Sequence, residues 1–308
     1  MSGPFQLIEP LTGPLSEAPR RTLPGRAAPR AGTRSGYFFR IVLHGLGLTM
    51  AGDEILVADG LIRKVRIYEG SSVASDGPDT DGRTSVDVVL EHPAAATSAV
   101  VPGMPFRIQF EFPRDALAAV FRGKMIALDP GHGGKDAGVR GPVNLLEKDV
   151  ALDIATELRA LLTSAGAAVV ISRENDSDVD ARSWAIVLSA ARPDALVEIH
   201  ASGERDPMAR TYRVYARRGS GPSAAIASEV ALALTERMGI EFSGMDETDF
   251  AASPLWPAIR VEPVCLTHFV DEANFRAPLY RKRIAQAIFN GLSRYLSSAS
   301  KGDMARAN

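Results

Sequence analysis

The sequence predicts an α/β protein in which a twisted mixed sheet lies between layers of helices, preceded by a smaller all-β sandwich. Three observations carry this prediction. From about Lys124 onward, short apolar runs alternate with longer segments of helical periodicity, the pattern of an α/β layered domain. Between residues 37 and 114, short runs rich in Val, Ile, Leu and Phe are separated by Gly, Asp and Pro turns, the rhythm of an all-β unit. Residues 1–36 place Arg20, Arg21, Arg26, Arg30 and Arg34 among prolines and glycines, which reads as a flexible arm. The expected organisation is therefore an arm at 1–36, a β-sandwich at 37–114, a larger α/β domain at 123–299 and a tail at 300–308.

In the β region the expected strands are Tyr37–Leu43, Glu54–Ala58, Leu61–Tyr68, Ser85–Leu90 and Phe106–Phe112, with Ser71–Arg83 as a loop. Beyond it, Met125–Leu128 reads as a strand. Leu145–Thr163 reads as a helix, with Val150, Ile154, Leu158, Leu161 and Leu162 at helical spacing and Gly166 just past its end. Ala167–Ser172 is the next strand, and Asp180–Ala191 is a helix that stops before Pro193. Leu196–His200 and Thr211–Ala216 are strands. Ser223–Met238 is a helix closed by Gly239, Ala258–Glu262 a final strand and Leu279–Leu296 a closing helix. The stripe Ile226, Val230, Leu234 and Met238 is core packing.

Composition narrows function by exclusion. With 35 Lys+Arg against 37 Asp+Glu, the net charge of −2 makes no electrostatic case for nucleic acid or an anionic membrane. A single cysteine, Cys265, excludes an internal disulfide and a Cys-rich metal cluster, and reads as a small buried hydrophobe. The apolar stretch Phe38–Met50 is interrupted by Arg40 and His44 and is too short to span a bilayer. Residues 1–36 hold no apolar core of a secretory signal, so the expectation is a chain made in the cytoplasm, reaching its target after export or lysis, and monomeric.

The chemistry concentrates at strand ends, where open α/β sheets build their sites. The run Ile126-Ala127-Leu128-Asp129-Pro130-Gly131-His132-Gly133-Gly134 carries an apolar strand into a glycine turn that presents one imidazole. Glu147 opens the following helix, His200 ends the strand Leu196–His200, and Glu262 ends Ala258–Glu262. Two histidines and a carboxylate with a fourth position open are the ligand set of a catalytic zinc site. Glu198 projects from the same strand face as His200 and reads as a partner that orients a ligand, as a substrate contact or, more simply, as one half of an ion pair with an arginine. Arg173 and Arg182 read as structural ion-pair partners; His44, His92 and His268 read as structural or surface residues.

These pieces, in order, resemble the zinc-dependent N-acetylmuramoyl-L-alanine amidases that carry a DPGHGG loop. The resemblance runs from about Lys124 to Leu296, through Leu128–Asp136, Leu146-Glu147-Lys148-Asp149, Ser172-Arg173, Arg182, Glu198-Ile199-His200-Ala201-Ser202 and Pro257–Glu262. It implies a phosphorylase/hydrolase-like fold, Zn²⁺ held by His132, Glu147 and His200, and Glu262 as the catalytic carboxylate. It implies peptidoglycan as the partner and the amide between N-acetylmuramic acid and L-alanine of the stem peptide as the bond cut. The sequence departs from the family at Glu198 and Ser202, where serine and asparagine are usual, and in Pro263–His268 after the catalytic glutamate. Gly239–Pro257 is too short for the site-blocking helix that some members carry, so none is expected; whether an activator protein serves the enzyme is left open. The rhythm of the β region is similar to that of the small wall-binding β modules of the AMIN type. Two rivals stand beside this reading. One is a zinc carboxypeptidase-like enzyme; the other is a catalytically weak amidase homologue that binds peptidoglycan and regulates wall turnover.

Overall fold

A computed structural model describes residues 5–14, 35–44, 53–69, 83–103, 107–239, 245–250 and 256–306. The chain divides into two units, Met1–Leu117 and Ala118–Asn308.

The first unit is a small antiparallel β domain. Its five-stranded sheet has the order β1-β2-β5-β4-β3, built from β1 (Phe5–Pro14), β2 (Ser35–His44), β3 (Asp53–Leu56), β4 (Ile62–Glu69) and β5 (Arg83–Leu90). A separate hairpin joins β6 (Thr97–Val101) to β7 (Arg107–Glu111). Phe39, Ile41, Leu61, Val88, Leu90 and Ala94 form the core, and Phe110 and Phe112 pack against it, the Phe112 ring edge-on to Phe39 at 5.5 Å. The second layer is thus a two-stranded hairpin. One expectation changes here: Phe5–Pro14 lies within the stretch read as an arm, yet it pairs antiparallel with β2. Phe5, Leu7, Ile8 and Leu11 give it an apolar content that the Arg/Pro-rich stretch after it lacks, and the register shifts between Ile8 and Leu11, around Pro10, which has no N–H to donate. Residues 15–34 of that stretch, and most of the Ser71–Arg83 loop, lie outside the described residues.

The division between the units falls within α1 (Asp115–Phe121). The second unit is the predicted α/β layered domain, with a six-stranded mixed sheet of order β12-β11-β13-β10-β8-β9. Its elements follow the chain as β8 (Met125–Pro130), α2 (Glu147–Ser164), β9 (Ala168–Ile171), α3 (Ala181–Ala191), β10 (Ala195–Ile199), β11 (Arg213–Arg217), α4 (Gly221–Met238), β12 (Met245–Thr248), β13 (Ala258–Glu262), α5 (Phe269–Arg276) and α6 (Pro278–Arg306). Strands β8, β9, β10 and β13 run parallel, whereas β11 pairs antiparallel with β13.

Alternate residues along these strands face opposite layers. Ala127, Leu196 and Ala258 cluster with Trp184 and Leu188 of α3 and with Phe250. The intervening residues Ile126, Leu128, Val197, Ile199, Ile259 and Val261 are all fully buried. They supply the opposite face, where α2 and α4 pack on the sheet and on α6. Ile226, Val230 and Leu234 of the predicted core stripe are fully buried, as is Cys265. Caps match the sequence signals: Asp180 accepts from the Ser183 N–H, and Gly239 ends α4 with φ +67°, a left-handed position that costs glycine nothing. Between α4 and β13 the described residues hold only β12 and the turns around Phe250 and Trp256, with no helix. No helix among the described residues is long and apolar enough to cross a membrane.

Candidate active site at the carboxyl ends of the strands

His132, Glu147 and His200 meet at the carboxyl ends of β8 and β10 and the first residue of α2; one ligand-capable atom from each lies within 4.8 Å of the others. The parallel pairing of β8 and β10 sets Pro130 beside Ile199, so the turn after β8 opens next to His200. His132 itself has φ +61°, an uncommon conformation for a residue with a Cβ. Two glycines make the approach feasible. A Cβ on Gly131 would lie 2.3 Å from the His200 ring, and one on Gly138 would lie 2.6 Å from both Glu147 Oε2 and His132 Cδ2.

Glu147 is the centre of this cluster and only 2% exposed. Its Oε1 is 2.9 Å from His200 Nδ1 and accepts the Ala201 N–H; its Oε2 is 3.1 Å from His132 Nε2 and accepts the Val139 N–H. Burial alone would push its pKa up. The hydrogen bonds from His132, His200 and the two backbone amides outweigh that and hold it well below the usual carboxylate range. His132 responds in the opposite sense: its bond to Glu147, opposed by partial burial and helped by Asp136, pushes it up to about 9. Asp136 Oδ2 lies 2.8 Å from His132 Nδ1. An ionised carboxylate only accepts, so Nδ1 donates to Asp136 and Nε2 donates to Glu147; a metal would take Nε2 in place of that second proton. Both histidine side chains remain about one-fifth exposed, at 22% and 21%. Among the described residues the three could hold a metal ion.

A cavity of about 380 Å³ opens beside the cluster, its wall shared by His132, His200, Asp129, Glu198, Arg260 and Trp184. Asp129, Glu198 and Arg260 are register neighbours on β8, β10 and β13, and so form one row across the sheet. Glu198 pairs with Arg260, whose Nε and an Nη both sit 2.8 Å from one carboxylate oxygen, which is the ion-pair reading of Glu198. Asp129 accepts the Ser172 hydroxyl at 2.6 Å. Burial pushes both carboxyls up, against the pull of Ser172 on Asp129 and of Arg260 on Glu198.

Glu262 ends β13 one residue beyond Val261, whose carbonyl accepts the His200 N–H. It is partly buried, and that burial pushes its pKa up although His200, Arg260 and Arg213 attract its charge. The Tyr215 hydroxyl lies 3.4 Å away. The fold thus brings all four residues singled out in the sequence to one rim of the sheet.

Other residues at this rim were not evident from sequence. Asp136 carried a usable signal, a carboxylate four residues after a histidine in a glycine turn. Tyr215 and Arg213 carried none, because they reach Glu262 only through the antiparallel β11–β13 register. Arg173 is corrected: its buried guanidinium donates to the carbonyls of Pro130, Gly131 and Lys148, and so ties down the glycine turn rather than matching a carboxylate. Arg182 is exposed, His92 and His268 are buried, and the His44 side chain lies outside the described residues.

Comparison with known proteins places the second unit in a family. The family model described as N-acetylmuramoyl-L-alanine amidase matches residues 126–294, more than half of the chain. The chain is similar to the N-acetylmuramoyl-L-alanine amidase LytC of Bacillus subtilis (strain 168), 29% identical over 177 residues that cover 56% of this chain and 36% of LytC. It is also similar to the probable cell wall amidase LytH of Staphylococcus epidermidis (strain ATCC 12228 / FDA PCI 1200), 32% identical over 185 residues, 58% of this chain and 60% of that one. The chain therefore spans between about a third and three-fifths of these curated relatives. Among solved structures, the amidase AmiC2 of Nostoc punctiforme matches with a TM-score of 0.53 at 29% identity, covering 56% of this chain and 97% of its own. An amidase from Clostridium difficile 630 matches with a TM-score of 0.54 at 29% identity, covering 57% and 97%. Through residues 126–294 the chain belongs to the N-acetylmuramoyl-L-alanine amidase family.

Proposed function

We propose that this chain hydrolyses the amide joining N-acetylmuramic acid to L-alanine in peptidoglycan, at the cell wall, with Zn²⁺ held by His132, Glu147 and His200 and with Glu262 as the catalytic carboxylate. The observation that carries this reading is the convergence of those three side chains within 4.8 Å beside an open cavity, with Glu262 on the adjoining strand end. The donor set fits zinc: two imidazole nitrogens and one carboxylate, with His132 oriented by Asp136.

Zinc bound there would supply Lewis acidity to the scissile carbonyl. The chain's own residues do the rest. Glu147, whose carboxylate is held ionised by the bonds it accepts, would offer its negative charge to the ion. Glu262 takes the proton of the attacking water and hands it to the leaving amine of L-alanine. Burial, which raises its proton affinity, suits a group that must hold that proton between the two steps. The Tyr215 hydroxyl donates weakly to that carboxylate, at 3.4 Å. The β unit at residues 37–114 is proposed as the wall-binding module, on its strand rhythm.

The test is digestion of purified peptidoglycan with and without a chelator, alongside Glu262→Gln. New amino-terminal alanine is expected from the native chain only, with the variant still binding one equivalent of zinc and losing about 10²–10⁴-fold in rate. Zinc bound at one equivalent with no alanine released from several wall types would replace this reading with that of a wall-binding regulator.

A further inference from the structure

The loop that delivers Glu147 is closed by a residue far away in sequence. From Val139 the chain turns back on itself before α2: Arg140 bridges Leu146, the Gly141 N–H bonds the Leu145 carbonyl, and the Glu147 N–H bonds the Val139 carbonyl. The tip of this turn leaves two backbone donors, on Val143 and Leu145, aimed away from it. Both donate to Glu272 of α5, at 2.7 and 2.9 Å, across more than 120 residues of sequence. Glu272 is completely buried. A Cβ on Gly141 would come within 2.6 Å of its Cδ, so the turn packs directly on the carboxyl group. One helical turn on, an Arg276 Nη bonds both Glu272 and the Val143 carbonyl.

At the helix start the Lys148 N–H also reaches the Ala137 carbonyl, the Lys148 ammonium bonds the Gly134 carbonyl and Asp176, and Arg173 bonds the Lys148 carbonyl. The residue before Glu147, Leu146, caps α2 without a side-chain acceptor. The Lys148 bonds hold the residue after Glu147; on the side before it, the first turn is held by the 139–146 turn and that turn's grip on α5. The neighbouring acid of α5, Asp271, likewise accepts the Tyr212 hydroxyl at 2.8 Å and pairs with Arg210, just ahead of β11.

We infer that Glu272 is a positioning residue for the metal centre: by fixing the Val143 and Leu145 amides it sets where Glu147 presents its carboxylate to the ion. This rests on the proposed reading of His132, Glu147 and His200 as ligands. A merely structural role would lower stability without touching the metal; a positioning role changes affinity and coordination.

Zinc affinity, measured by competition with a chromophoric chelator, and the visible spectrum of the cobalt-substituted protein separate the two. They are compared in the full chain, in Glu272→Ala, in Glu272→Gln and in Phe275→Leu. Phe275, buried on the same helix, is the control for loss of packing. Glu272→Ala is expected to weaken zinc about 10–100-fold, the scale of losing an outer partner of a ligand, and to alter the cobalt spectrum. Glu272→Gln, whose one oxygen replaces two, is expected to fall between it and the native chain. Phe275→Leu is expected to lower the unfolding temperature with zinc affinity intact. Should Glu272→Ala fail to fold, Glu272→Gln against Phe275→Leu decides. Native affinity in the Glu272 variants, or equal weakening in Phe275→Leu, overturns the inference. A native chain that binds no zinc overturns the ligand reading and this inference together. Tight zinc binding without amide hydrolysis overturns only the proposed reaction.

Discussion

The two units of this chain handle charge in opposite ways. In the β unit charges of the sheet meet across neighbouring strands: Arg40 grips both oxygens of Asp87, which also accepts the Tyr68 hydroxyl, and Glu54 takes Lys64 and Arg66. In the amidase unit the acids outnumber the arginines at one rim of the sheet. Asp129, Glu147, Glu198 and Glu262 stand there with three arginines, Arg260, Arg213 and Arg173, and with His132 and His200. Three of these four carboxyls are pushed upward by burial, and the fourth is held down only by hydrogen bonds to the two histidines and the backbone. Burying unmatched charge is costly, so a fold keeps it where chemistry requires it. Balanced pairs mark architecture; the surplus marks the site.

Removing one charged partner from each unit is expected to have very different consequences. His200→Ala is expected to abolish stoichiometric zinc binding and to cut hydrolysis of a soluble muropeptide by at least about 100-fold. Asp87→Asn is expected to leave that hydrolysis unchanged and to cost about 1–3 kcal/mol, because Arg40 loses a two-point partner. The chain provides its own reporter, since both tryptophans, Trp184 and Trp256, lie in the amidase unit. Asp87→Asn should move the circular-dichroism transition and not the tryptophan fluorescence transition. Joint movement of both would show the units unfolding as one and would end the comparison as a statement about separate units.

Much of this was legible in the sequence because its signals are local. The strand-to-turn run at Leu128–Gly134 and the placement of Glu147 and His200 at element ends depend only on periodicity and glycine. The layered α/β order follows from the same alternation. What was not legible depends on register and on distance. The Glu198–Arg260 pair needs β10 and β13 to be parallel neighbours. Tyr215 reaches Glu262 only because β11 turns antiparallel. The hold of Glu272 on Val143 and Leu145 joins segments with no shared motif. Phe5–Pro14 escaped notice for the reverse reason, since neighbouring Arg and Pro residues masked a short apolar run.

A smaller effect sharpens the distinction within the amidase unit, because Glu198 and Arg260 are a matched pair inside the surplus. Glu198 is 8% exposed in its side chain and Arg260 31%. Removing the base strands a buried acid, whereas removing the acid frees an arginine that reaches solvent. Arg260→Leu is therefore expected to cost about 2 kcal/mol, below the range for a fully buried pair because water screens the guanidinium. Glu198→Ser is expected to cost less than about 1 kcal/mol, and the double variant less than the sum. Tryptophan-detected denaturation of the four proteins gives the coupling energy directly, and strict additivity would show that the two residues do not act as a pair.

The smallest expected effect concerns acid, and it follows from the sign of one shift. Burial alone would raise the pKa of Glu272, but the Leu145 and Val143 amides and Arg276 outweigh it, so the folded-state value lies below the ordinary one. A group depressed in this way binds fewer protons folded than unfolded. Its stabilisation is complete above the unfolded value, about 4.3, and fades as pH falls through the folded value. Arg276 is nearly half exposed, so the two amide bonds carry most of the effect. At pH 7 Glu272→Gln is expected to be less stable than the native chain by about 1 kcal/mol, since one amide loses its acceptor. That gap should close on acidification below about pH 4, because the protonated native side chain resembles the variant's amide in having one good acceptor oxygen. Asp87, by contrast, serves as the same measurement's reference in the β unit, where the gap between the native chain and Asp87→Asn reports a matched pair and not a helix-to-loop hold. A Glu272→Gln gap that stays constant from pH 7 to pH 3 would mean that the carboxylate charge contributes nothing to closing the loop, and that neutral hydrogen bonds and packing against Gly141 hold it.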